Sequence, residues 1–190
     1  MTLTTDPRPA SITTALRNLY LVRFGFAVVW AALLAATASS IGPVSATLLV
    51  LYPAFDLAAA IVDHRNSRAT SPAPLLYVNM GLSLLAAVGL AVAAGSGVRA
   101  VLIVWGAWAI TAGAVQLIVG SARRALGGQW PMILSGGISV LAGAGFILQS
   151  GGSSASLGSL AGYATLGGVF FLISAIRLHR KTTGAVSTDS

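Results

Sequence analysis

Apolar residues along this chain come in long unbroken runs rather than in alternation with polar ones. Six runs are close to the roughly 20 residues that a helix needs to cross a bilayer. They cover about Leu19–Ala38, Val44–Val62, Leu75–Ala94, Val98–Gly120, Trp130–Leu148 and Leu157–Leu178. A membrane β-barrel would instead show strands that alternate between lipid and lumen. The pattern predicts an all-α fold, a bundle of six transmembrane helices.

A second regularity lies over the first. The chain repeats without gaps at a period of 56 residues. Gly25, Gly81 and Gly137 correspond, as do Arg68, Arg124 and Arg180. The second and third units match best: Gly81, Ser83, Leu85, Ala86 and Gly89 become Gly137, Ser139, Leu141, Ala142 and Gly145, and Gly106 becomes Gly162. Each unit is expected to be one helical hairpin, spanning 13–68, 69–124 and 125–180. An even number of helices per unit makes the repeats parallel. Together they form a single membrane domain, 13–180, between cytoplasmic tails at 1–12 and 181–190. The glycines read as packing positions, because lipid tails are as apolar as leucine and helices associate through close backbone approach. Gly158/Gly162, Ala109/Gly113 and Ala164/Gly168 have that spacing. Such faces also suit a second copy of the chain or a membrane partner.

Composition agrees with lipid as the solvent. Only 8% of residues are charged, against about 25% in a soluble domain. The net charge of +7 does not imply nucleic acid, because the basic residues lie in short clusters between the apolar runs. Arg8, Arg17, Arg23, Arg65, Arg68, Arg123, Arg124, Arg177, Arg180 and Lys181 fall at one end of the expected spans, and Arg99 alone at the other. This bias puts both termini in the cytoplasm, with anionic headgroups as the partners of the clusters. Tyr20, Tyr77 and Trp130 fall where interfacial aromatic belts form. Ala36-Thr37-Ala38 looks like a signal-peptide cleavage site. Arg23 interrupts that first apolar run, however, so the run is read as a retained span.

The chain has no cysteine, four acidic residues and two histidines. Thiol chemistry is excluded, and little remains for a metal centre or a catalytic carboxylate pair. The reading is a protein that is not an enzyme, with no catalytic, cofactor-binding or metal-binding residues. His64 and His179 are expected to be solvated residues beside basic clusters.

From Trp105 to Ile147 the chain contains Gly106, Gly113 and Gln116, then Arg123-Arg124, Gln129-Trp130 and Ser135-Gly136-Gly137-Ile138-Ser139-Val140-Leu141-Ala142-Gly143. This stretch resembles the HdeD-like family of short-repeat bacterial membrane proteins, and the resemblance covers most of the chain, best from residue 75 to 178. It implies six helices built from hairpin repeats, a place in the bacterial plasma membrane, and a non-enzymatic role in acid or envelope stress. It carries no catalytic residues over. The family often has a proline after the first helix of a repeat. Pro43 occupies that place in the first unit, but Arg99 and Ala155 stand there in the others.

Candidate chemistry centres on Asp56, the one acidic residue inside an expected span. An ionisable group within a membrane is a functional hypothesis by default, and a central aspartate costs about 2.5–3.5 kcal/mol without compensation. Arg23, at similar depth in the first helix, is the expected partner. Asn79, Gln116 and Ser135 are expected in the same polar layer. Arg23, Asn79 and Ser135 share one position of the repeat, whereas Asp56 corresponds to Ala112 and Gly168. The layer either fixes helix register or serves a proton, ion or small polar ligand. Pro53 is expected to kink the second helix and free a carbonyl. Three functions follow: a stress-related membrane protein, a small transporter or proton-linked channel using the layer, or a scaffold subunit.

Overall fold

A computed structural model of the chain describes residues 8–66, 73–126, 129–153 and 155–186. They form α1 (Arg8–Thr37), α2 (Pro43–Asn66), α3 (Ala73–Ala94), α4 (Val98–Ala122), a short 3-10 turn (Arg124–Leu126), α5 (Trp130–Ser150) and α6 (Gly158–Val186). All six α-helices are long and apolar enough to cross a membrane. This is a multi-pass membrane protein. Leu85, Leu141 and Leu148 are 70%, 74% and 81% exposed, a surface that lipid covers without penalty.

Helix ends extend beyond the apolar runs. α1 begins at Arg8, α2 reaches Asn66 and α6 reaches Val186. Arginine and lysine are good helix formers, so the basic flanks continue the helices. Asp63 and His64 therefore lie on α2 rather than in a loop. His64 is not free in solvent: its Nε2 is 3.0 Å from the Tyr77 hydroxyl. Arg68 lies outside the described residues.

An even number of crossings brings the start of α1 and the end of α6 to one face, where Arg17 and His179 meet at 3.1 Å. We call it the terminal face and its opposite the far face. Each helix packs on the next in sequence, and α6 closes back on α1. The three most extensive interfaces are α4–α5, α1–α6 and α2–α3.

Glycine explains the first of these. A Cβ on Gly113 would lie 2.9 Å from the Gly136 carbonyl oxygen, and one on Gly136 would lie 2.7 Å from that of Gly113. One helical stretch away, Gly106 and Gly143 face each other in the same way. Backbones this close gain dispersion contacts that no larger residue permits. Gly168 packs on Ala27 of α1 at 3.2 Å from its notional Cβ. The Gly158/Gly162 pair makes no such helix contact. Gly162 has nothing within 4 Å, and neither have Gly25 and Gly81, which share a different position of the repeat, so these glycines do not mark a tight interface.

The far half of the bundle is an apolar plug. Trp30, Leu34, Leu49, Leu90, Leu102, Trp105, Leu157 and Leu160 are all essentially inaccessible and belong to one cluster. The Trp30 indole donates to the Leu48 carbonyl at 2.6 Å. α2 runs unbroken through Pro53, whose missing N–H leaves the neighbouring Leu49 carbonyl without its helical donor.

Candidate functional site

Asp56 sits nine residues before Arg65, the end of its span, so it lies roughly 14 Å below the terminal face at 1.5 Å per residue. One carboxylate oxygen, Oδ1, is paired with the Arg23 guanidinium. The other, Oδ2, accepts hydrogen bonds from Asn79 Nδ2 at 3.0 Å and Ser83 Oγ at 2.8 Å. Trp108 Nε1 donates onward to Ser83 Oγ at 3.2 Å. The guanidinium lies over the Phe171 ring, 4.4 Å from its centroid, a favourable cation–π arrangement. One carboxylate thus ties together α1, α2, α3, α4 and α6. Each formal charge in the cluster has a partner, the condition under which a buried ion pair is tolerated.

Two cavities meet at this cluster. The outer one, of about 80 Å³, extends from Tyr20, Asp63, Arg123 and Gln129 near the terminal face to Arg23, Asp56 and Asn79. The inner one, of about 50 Å³, is lined by Tyr52, Trp108, Ser135, Ser139 and Tyr163. Arg23, Asp56, Ala112, Gln116 and Phe171 line both and form a collar between them. At roughly 10–15 Å³ per water, the two have room for about five to eight and about three to five waters. Beyond the inner cavity the polar lining ends. Tyr52 and Trp108 pack there against Trp105, with ring centroids 5.4 Å away in both cases, and the apolar plug begins.

A second ion pair stands nearer the terminal face. Arg123 reaches Asp63 with two hydrogen bonds, at 2.8 and 2.9 Å. Arg123 is only 3% exposed, so it is not a headgroup-facing topology residue. Tyr20 is likewise turned inward: it is buried and donates to Gln129 Oε1 at 3.4 Å. Trp130, by contrast, is exposed and Tyr77 is half exposed toward the surroundings.

The five residues singled out in the sequence all line this polar axis. Arg23 and Asn79 both donate to Asp56, one to each carboxylate oxygen. Gln116 belongs to the collar but donates to the Met132 carbonyl at 3.1 Å, linking α4 to α5. Ser135 lines the inner cavity and does not touch the carboxylate. Sequence reading missed Ser83, Tyr52, Trp108, the Tyr163–Ser139 pair at 2.9 Å and Arg123–Asp63. Helical spacing held a usable signal: Tyr52 is four residues before Asp56, Ser83 four after Asn79, Asp63 seven after Asp56 and Arg123 seven after Gln116, all on shared faces. Among the described residues, no group of three His, Asp or Glu side chains converges. The arrangement can hold water, shuttle hydrogen bonds and present balanced charge to a small polar ligand.

No protein-family model, curated protein or solved structure matches the chain.

Proposed function

We propose that this protein is a small-solute carrier or channel whose path is the polar axis, entered from the terminal face and closed by the apolar plug. The observation that carries this reading is the pair of cavities joined at the Arg23–Asp56 collar and ending against Trp105. A register-fixing ion pair needs no space beside it, and a scaffold needs none in its interior. The arginines at the terminal ends of the helices support a cytoplasmic position for that face, in a bacterial plasma membrane. On this reading the stress role implied by the HdeD-like resemblance is the physiological setting, and movement of a solute is the molecular activity.

We also propose that the three hairpins surround a pseudo-threefold axis. The closed order of helix contacts supports it. So does equal burial at positions 56 residues apart: Tyr20, Leu76 and Met132; Ala27, Ser83 and Ser139; Leu34, Leu90 and Phe146. The first unit then departs from symmetry by placing Asp56 where its counterparts have Ala112 and Gly168, which concentrates charge at one point of the axis.

The test is flux in proteoliposomes with a panel of small ions and neutral polar solutes. Wild type is expected to move at least one of them. Ala112→Leu fills the collar without removing a polar group, and it is expected to lower that flux by at least tenfold while leaving the protein folded. Absence of flux across the whole panel, or full flux in Ala112→Leu, overturns the reading.

A further inference from the structure

The inner cavity has an unbalanced lining. Its one carboxylate, Asp56, has both oxygens occupied, Oδ1 by Arg23 and Oδ2 by Asn79 and Ser83. Its donors are not so committed. An arginine carries five N–H groups, and Arg23 hydrogen-bonds through one of them, to Asp56. The hydroxyls of Tyr52 and Ser135 line the cavity and make no hydrogen bond among the described residues. Ser135 is only 6% exposed. Ser139 accepts from Tyr163, so its own hydroxyl hydrogen remains free. On the acceptor side there is the Gln116 side-chain carbonyl, whose amide nitrogen already serves Met132. These hydroxyls line open cavity space rather than protein acceptors, and a ligand that only accepts hydrogen bonds would satisfy this set.

We propose that the inner cavity is a binding site for a small monovalent anion, of the size of chloride, nitrate or formate. Arg23, Tyr52, Ser135 and Ser139 are its donors. This deepens the carrier reading, since it names the ligand of the same axis, yet binding is measurable whether or not the ligand moves. The volume sets the size limit, with room for about three to five waters. The charge logic sets the sign. A cation would meet a guanidinium and hydroxyl donors, and its natural partner, the Asp56 carboxylate, is already enclosed by three donors. An anion meets unused donors, and the neighbouring carboxylate weakens its binding without abolishing it.

The experiment is thermal unfolding of the purified full chain in detergent, starting in potassium gluconate. Potassium chloride, nitrate or formate then replaces the gluconate at constant ionic strength. A ligand that binds the folded state raises the unfolding temperature saturably. Wild type is expected to be stabilised by at least one small anion and unaffected by exchange of potassium for sodium. Tyr52→Phe and Ser135→Ala delete single hydroxyls and leave the ion pair intact. Each is expected to weaken the apparent affinity about tenfold, the scale of a hydrogen bond to a charged group. Asp56→Asn removes the opposing charge and is expected to tighten anion binding at least tenfold. A cation site predicts the opposite response to that substitution. The proposal is overturned if no anion stabilises the protein, if the effect persists undiminished in Tyr52→Phe/Ser135→Ala, or if Asp56→Asn weakens it. Saturable binding without flux would defeat the carrier reading and leave the anion site standing.

Discussion

Arg23→Ala is expected to destabilise the bundle by about 3–5 kcal/mol, the range for removing one partner of a buried ion pair. The loss exceeds the worth of the pair itself, because Asp56 is left as an uncompensated charge roughly 14 Å below the surface. Asn79 and Ser83 still donate to Oδ2, but neither carries a charge. The double variant Arg23→Ala/Asp56→Ala removes both ions, and it is expected to be more stable than Arg23→Ala alone. Unfolding in mixed detergent micelles measures both, together with the single variant Asp56→Ala. If the double variant lost the sum of the two single effects, the two side chains would be energetically independent, and the cluster would not be the unit described above.

The second large effect is expected at the α4–α5 interface. A Cβ on Gly143 would lie 2.7 Å from Ile110 Cγ1 and 2.9 Å from the Ile110 backbone nitrogen. A flexible side chain can yield, but a helix backbone cannot without moving the whole helix. Overpacking of an ordinary core costs about 1–3 kcal/mol. Gly143→Val is expected to exceed that, because the helices must part along the most extensive interface of the bundle and strain the Gln116–Met132 bond. Gly162→Val is the control: nothing lies within 4 Å of its added Cβ, and a change within about 0.5 kcal/mol is expected. Expression level and unfolding midpoint of the two variants measure the contrast. Equal behaviour would contradict the close approach.

These two sites also mark how far the sequence could be read. The six spans were legible because each apolar run has the length a bilayer demands, and length survives any arrangement of neighbours. Asp56 and Arg23 were legible for a related reason: depth along a helix follows from counting residues, and both sit at the same depth on adjacent helices. Which side of a helix faces inward was not legible. Apolar residues line lipid and core alike in a membrane, so no stripe reveals the interior. Tyr20 therefore read as a belt residue although it turns toward Gln129, and Arg123 read as a topology signal although Asp63 holds it. The same ambiguity affected the glycines. Gly158/Gly162 has the spacing of a packing motif but looks outward, while Gly106, Gly113, Gly136 and Gly143 pair across two helices that their sequence separation does not single out. Helix ends were misjudged because hydropathy falls off before helix propensity does, as in the last turns of α2.

The proposed polar path is open from the terminal face and sealed beyond Trp105. The chain contains no cysteine, so single reporters can be introduced at Gln116 in the collar and at Leu90 in the plug. A small charged thiol reagent is then added to one side of oriented vesicles. Gln116→Cys is expected to react when the reagent is on the terminal side and not from the far side, and Leu90→Cys is expected to react from neither. An unreactive Gln116→Cys, or one that reacts equally from both sides, would contradict the account.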